Sequence, residues 1–149
     1  MSIISLRVSD QLIAETHQRG GQLSEAIRTS LERYFTLLAQ ARRSLRARKL
    51  FTGDELALVV DVCNGIMWDV SVAEDLQSNV RDCESAYYKR WGVDRKALLR
   101  KLRGLTPLES MALIDAIERF WLAASSGVPV DARRWLENKD MEPGQQARG

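Results

Sequence analysis

The sequence contains few residues of the types that build metal, disulfide or nucleophilic sites. It has one histidine and two cysteines. Cys63 and Cys83 lie in apolar segments, outside any Cys-x-x-Cys pair, which predicts buried reduced thiols rather than a disulfide or a metal site. A single histidine, His17, disfavours a histidine-rich metal sensor, and Ser125-Ser126 has no evident histidine to activate a nucleophile. We therefore expect no metal, no cofactor and no enzymatic activity.

Long apolar runs and glycine-rich loops are also missing. No apolar run approaches the roughly 20 residues that cross a bilayer, and the N-terminus lacks the pattern of a signal peptide. We therefore expect a cytoplasmic protein with no membrane partner. Gly92, Gly104 and Gly127 are isolated and are typical of helix ends rather than of a phosphate-binding loop. A hydrophobic fraction of 45% and a charged fraction of 28% are ordinary for a globular protein.

The net charge of +2 hides an uneven distribution of charge along the chain. Residues 1–50 contain nine Lys and Arg against four Asp and Glu, whereas residues 51–149 contain thirteen against sixteen. This pattern is typical of a basic part that faces nucleic acid, joined to a part with another role. A secondary basic patch is predicted at Arg42, Arg43, Arg46, Arg48 and Lys49. Cations near a helix C-terminus also stabilise the helix dipole, and this structural role is the favoured one for the patch.

Residues 2–9 alternate in polarity, which predicts a short β-strand. One face would carry Ile4, Leu6 and Val8, and the other Ile3, Ser5 and Arg7. A lone terminal strand leaves its backbone without a local partner. Pairing with the same strand of a second copy would satisfy that backbone. It would also form a two-stranded ribbon of a size that enters the major groove of DNA.

Two helices are predicted to follow this strand. The first begins at Ser9 or Asp10 and ends at Gly20-Gly21, and the second begins near residues 22–24 and runs to about Arg48. Apolar residues recur in the second helix at steps of three and four, and we expect them to be core: Ala26, Ile27, Leu31, Tyr34, Phe35, Leu38, Ala41 and Leu45. The rest of the chain indicates helices only, with capping boxes at Thr52, Ser71 and Thr106.

The segments ISLRVSDQL at 4–12 and GQLSEAIR at 21–28 resemble the ribbon-helix-helix family of the MetJ/Arc type. The resemblance covers residues 1 to about 38. It implies a homodimer whose paired strands lie in the major groove, with Ile3, Ser5 and Arg7 facing the bases. Arg7 suits a guanine edge, and Ser5 can donate or accept a hydrogen bond. The family also holds a phosphate on the amides that open its second helix, here Gln22, Leu23 and Ser24. Gln22 and Leu23 depart from the Ser or Thr and the basic residue that the family often has.

The predicted fold class is mainly α: an N-terminal ribbon-helix-helix with one short β-strand that pairs between chains, followed by an all-α domain. The predicted boundaries are 1–49 for dimerisation and DNA binding, 50–138 for the helical domain and 139–149 for a flexible tail. Residues 50–149 resemble no family that we recognise. Their tryptophans are expected to be mostly core. Core is also narrowly favoured for Trp68, with a partly exposed partner surface as the alternative.

The predicted function is a homodimeric, sequence-specific DNA-binding regulator that acts as a repressor. Its partners would be double-stranded DNA, a second copy of itself, in a dimer or a higher even oligomer, and a protein bound through residues 50–138. The alternative is an interaction protein, antitoxin-like or an assembly partner, that uses the ribbon only to dimerise and does not bind DNA.

Overall fold

The structure is a computed structural model that describes residues 8–64 and 73–137. In these two ranges every regular element is an α-helix, and seven are formed. They are α1 (Asp10–Gln18), α2 (Leu23–Arg48), α3 (Gly53–Val62), α4 (Ala73–Asp82), α5 (Ser85–Trp91), α6 (Arg95–Arg103) and α7 (Pro107–Ser125). Within the same ranges no helix has both the length and the apolar character needed to span a bilayer.

The β-strand is the part of the predicted fold class that is wrong. Residues 2–7 of that strand lie outside the described residues. Val8 belongs to no regular element, and Ser9 instead caps α1, where its hydroxyl accepts a hydrogen bond from the N–H of Leu12 at 3.3 Å. A strand requires a second strand for its backbone hydrogen bonds, and the described chain supplies only helices. The fold class is therefore corrected to all-α.

The chain divides into two compact units, residues 1–37 and 38–149. The boundary lies inside α2, whereas the sequence predicts it after that helix, at residue 49. The described part of the first unit consists of α1, a turn and the first half of α2. Gly20 ends α1 with φ at +73°, a left-handed conformation that glycine adopts without a steric penalty.

The second unit is built around α3, in which residues 55–60 are all buried. Three tryptophan side chains donate hydrogen bonds to this helix: Trp135 to the carbonyl of Leu56 at 2.8 Å, Trp121 to the carbonyl of Val60 at 3.0 Å, and Trp91 to the carboxylate of Asp61 at 3.1 Å. The prediction that the tryptophans are core is confirmed for Trp135. Trp91 and Trp121 pack against the core while partly exposed, and Trp68 lies outside the described residues.

One predicted helix is split in two by a contact that is distant in sequence. The sequence predicts a single helix from Ser71 to Trp91, but α4 ends at Asp82 and α5 begins at Ser85. The Arg95 guanidinium donates to the carbonyls of Arg81 and Cys83 at 2.9 and 3.2 Å. These acceptors lie at the end of α4, where backbone carbonyls have no intrahelical donor. A long-range donor therefore stabilises the break.

The capping boxes predicted at Thr52 and Thr106 are confirmed, and each glutamate has a second partner on a distant helix. The one predicted at Ser71 lies outside the described residues. Thr52 pairs with Glu55 at the start of α3, and Thr106 pairs with Glu109 at the start of α7. Glu55 also binds Lys101 of α6 at 2.8 Å, and Glu109 binds Arg48 of α2 at 2.6 Å. These carboxylates therefore fix the start of a helix and connect two helices at once.

The contacts of Glu109 predict that this residue contributes to the loss of folding stability at low pH. Burial by itself raises the pKa of Glu109, but hydrogen bonds from Thr106 and the Arg48 guanidinium outweigh it and hold that pKa below its usual range. Such a carboxylate stabilises the fold above its unfolded pKa, and the contribution disappears as the pH falls through the folded pKa. In Glu109→Gln, where glutamine can still serve the capping box, we expect lower stability at neutral pH and a shallower loss below about pH 4.5. Urea unfolding between pH 7 and pH 3 gives the free energy of unfolding of both proteins. If that free energy falls equally with pH in both, the prediction is wrong.

Candidate functional site

The predicted base-reading residues, Ile3, Ser5 and Arg7, lie outside the described residues, as does Trp68. Their roles therefore stay predictions. The described residues contain the predicted phosphate site, the predicted basic patch and two surfaces that the sequence did not single out.

The predicted phosphate site lies at the N-terminus of α2, which begins at Leu23. The N–H of Ala26 donates to the carbonyl of Gln22 at 2.9 Å, so the amides of Leu23 and Ser24 precede the first intrahelical bond. Amides in this position and the helix dipole favour an anion. The exposed carboxylate of Glu25 stands in the same turn, 4.0 Å from Arg28. A phosphate here would therefore meet a nearby negative charge, and the predicted role remains a prediction.

The predicted basic patch is not one exposed surface. Arg42 is buried and pairs with Asp115 of α7, while Arg48 pairs with Glu109. Arg43 and Lys49 are exposed and Arg46 is half-buried. Two of the five cations therefore connect the second half of α2 to α7. This structural role differs from the stabilisation of the helix dipole that the sequence analysis favoured.

The Arg42 pair belongs to a three-residue ionic cluster. The Asp115 carboxylate accepts hydrogen bonds from Arg42 and, at 3.0 Å, from Arg119 one turn further along α7. The sequence predicted that Asp115 and Glu118 face water, but the Asp115 side chain is only 16% exposed. Burial and then the Asp115 charge raise the pKa of Glu118. The cluster thus lies beside the core of the second unit, with Arg42 buried and Asp115 and Arg119 half-buried.

An apolar stripe runs along α2, and its two halves have different environments. In the second unit Leu38, Ala41 and Leu45 are at most 8% exposed. In the first unit Leu31, Tyr34 and Phe35, which continue the same stripe, are 37–47% exposed. No described residue from 8 to 37 is buried. The described part of the first unit therefore has an apolar face but no buried core.

A groove of about 250 Å³ between α1 and the start of α2 adds to this open apolar surface. Its lining is mixed, and it consists of Leu12, Glu15, Thr16, Arg19, Gly21, Ala26 and Ser30. Leu12 is 55% exposed at its edge. The apolar pattern of α1 predicts that Leu12 points inward, but more than half of its side chain is exposed.

A basic face on α6 is the surface that the sequence analysis missed. Residues 85–103 contain seven Lys and Arg and one acid, Asp94. Summing charge over residues 51–149 concealed this segment, and a window of about one helix would have found it. Lys96, Arg100 and Arg103 are exposed on α6, while Leu98, Leu99 and Leu102 bury its other face.

The few residues with metal-binding or nucleophilic chemistry form no cluster. Among residues 8–64 and 73–137 there is no group of three or more His, Cys, Asp or Glu that could hold a metal ion. Cys63 is buried and Cys83 half-buried, both as free thiols, and burial raises the pKa of Cys63 to about 12. A thiol with that pKa is a poor nucleophile at neutral pH. His17 is exposed on α1. A comparison of the chain with family models, with curated proteins and with solved structures found no match.

Proposed function

We propose that this protein is a homodimeric, sequence-specific DNA-binding regulator that acts as a repressor in the cytoplasm. The apolar stripe of α2 is the observation that supports a dimer. The chain itself buries this stripe from Leu38 onward, whereas the part of the stripe before Leu38 is exposed. The DNA-binding part of the proposal draws on the resemblance of residues 1 to about 38. It does not depend on a β-ribbon.

A second copy of the chain is the occupant that best explains the exposed stripe. Units below about 40 residues usually need a disulfide, a metal or oligomerisation to be stable. The first unit spans residues 1–37 and has no cysteine, which favours oligomerisation. In a twofold dimer the same patch of both chains meets itself, so Leu31 and Phe35 of each copy would become mutually buried. Exposed aromatic residues such as Tyr34 and Phe35 are typical of the cores of such interfaces.

The charge of the first unit favours a second candidate, an interaction protein that dimerises without binding DNA. Residues 8–37 contain three arginines against four acids, which is a weak electrostatic footprint for DNA. In a regulator, most of the phosphate contacts must then come from Arg7, from the amides at the start of α2, or from a surface outside this unit.

A paired measurement tests dimerisation and DNA binding together. We expect Leu31→Asp with Phe35→Asp to convert the dimer to a monomer, because two carboxylates per chain would have to be desolvated in the interface. We expect the same variant to lose tight binding to the DNA upstream of the coding region. Sedimentation velocity reports the mass, and fluorescence anisotropy with scrambled DNA as competitor reports specific binding.

Leu122→Asp is the matched control, because Leu122 is 58% exposed on α7 in the second unit. It should remain dimeric and bind DNA as the unmodified protein does. A dimer that survives in the double variant would contradict the role of the stripe. A dimer of the unmodified protein that binds the upstream DNA no better than scrambled DNA would favour the interaction protein.

A further inference from the structure

We infer that the exposed face of α6, formed by Lys96, Arg100 and Arg103, contacts the phosphates of duplex DNA. The inference rests on the proposed function for the identity of the partner. It adds a contact surface in the second unit, far in sequence from the segment that carries the family resemblance.

The three side chains share one face of a firmly held helix. Their spacing of four and then three residues places them on adjacent turns. The opposite face is fixed by the three buried leucines. At the start of the helix the Asp94 carboxylate accepts from the N–H of Lys96 at 3.1 Å, and Lys101 binds Glu55 at 2.8 Å. The basic face is therefore presented by a preorganised helix.

Other cations of residues 85–103 have partners within the chain. Arg90 pairs with Asp61 at 2.9 Å, and Arg95 donates to backbone carbonyls and lies 4.4 Å from the centre of the Tyr88 ring. By contrast, the described part of the chain brings no carboxylate within ion-pair distance of the three α6 face residues. Their charge is available to an external anion.

Helix stability does not explain these charges. Cations near a helix C-terminus favour the dipole, which accounts for Arg100 and Arg103, but Lys96 lies in the first turn, where the dipole disfavours a cation. Like charges four or three residues apart also repel one another. The helix dipole therefore leaves Lys96 unexplained, and an external polyanion would relieve the repulsion among the three cations.

The character of the face favours DNA over an acidic protein or a lipid surface. All three exposed positions of α6 are basic, whereas protein interfaces need an apolar centre. Membrane-bound amphipathic helices insert their apolar face, but the leucines of α6 are already buried in the core. Duplex DNA carries one charge per about 1.7 Å of axis. The seven residue steps from Lys96 to Arg103 rise about 10 Å along the helix, so the three cations can meet several phosphates.

The salt dependence of DNA binding tests the inference. Each phosphate contact adds about 0.9 to the slope of log affinity against log salt. In the full-length triple variant Lys96→Gln, Arg100→Gln, Arg103→Gln we expect the slope to fall by up to about 2.7. Between 50 and 200 mM salt, the loss of affinity for a short duplex should then be up to about 40-fold smaller than in the unmodified protein.

A matched triple variant removes the same charge elsewhere in the second unit: Arg81→Gln, Lys89→Gln and Arg134→Gln, all exposed positions. Its slope should equal that of the unmodified protein, and thermal melts should show both triples folded. If both triples lose slope equally, or if neither does, this inference is overturned while the proposed function stands. If the unmodified protein binds no duplex even at low salt, the proposed function fails as well.

Discussion

Asp115→Ala is expected to lower the free energy of unfolding by about 3–5 kcal/mol, because it removes the carboxylate that pairs with a buried arginine. Arg42 is 4% exposed and lies between α2 and α7. Stabilities of single domains are about 5–15 kcal/mol, so this one change could leave a marginal protein partly unfolded at room temperature. Urea unfolding followed by tryptophan fluorescence measures the effect.

The geometry of this ionic cluster predicts which of its substitutions lower the free energy of unfolding most. Arg42→Met should cost less than Asp115→Ala, because Asp115 retains its 3.0 Å hydrogen bond from Arg119. Arg119→Ala should cost below about 1 kcal/mol, as expected for an (i, i+4) pair at a more accessible position. The double variant Arg42→Met with Asp115→Leu should recover most of the lost stability, since apolar residues can replace a buried ion pair. If Asp115→Ala were no more costly than Arg119→Ala, Arg42 would not depend on this carboxylate.

Local signals in the sequence predicted local structure well. The capping boxes at Thr52 and Thr106 each involve residues three apart, and the αL glycine at Gly92 ends its helix through its own backbone. All the physical determinants of such features lie within one turn of chain. They can therefore be predicted without knowing what packs on the helix.

Features that depend on distant residues were predicted poorly or not at all. Arg42 sits one residue after Ala41, on the register of the apolar stripe, and that position was a signal of burial. Its partner Asp115 is 73 positions away, so the sequence could not identify it. Periodicity placed Leu31 and Phe35 on an apolar face but could not say whether the same chain covers them. The alternation in residues 2–9 suited a strand, but a strand needs a partner that a pattern cannot supply.

The last described segment of the chain is attached to α3 mainly through the buried side chain of Trp135. The sequence predicted a short helix capped by Asp131, but residues 132–137 form successive turns instead. Trp135 is 1% exposed, and its indole N–H donates to the carbonyl of Leu56 at 2.8 Å in the middle of α3. The segment also contacts α3 through an ion pair between Arg133 and Asp54 at 2.9 Å, but both side chains are exposed and such pairs contribute little. The buried Trp135 and its neighbour Leu136 therefore supply most of its attachment to α3.

Trp135→Ala should therefore lower the free energy of unfolding by about 3–5 kcal/mol through the cavity that it leaves. Trp135→Phe retains most of the apolar volume and loses the hydrogen bond, so a smaller loss is expected, with about 1 kcal/mol from the bond itself. Leu122→Ala, at an exposed position of α7, should change stability by less than about 0.5 kcal/mol. Urea unfolding gives all three values.

Limited proteolysis provides a second readout, because cleavage after Arg133 or Arg134 should become faster in Trp135→Ala under conditions where the rest of the protein stays folded. Stability and cleavage rates that match those of Leu122→Ala would show that Trp135 does not attach the segment to α3.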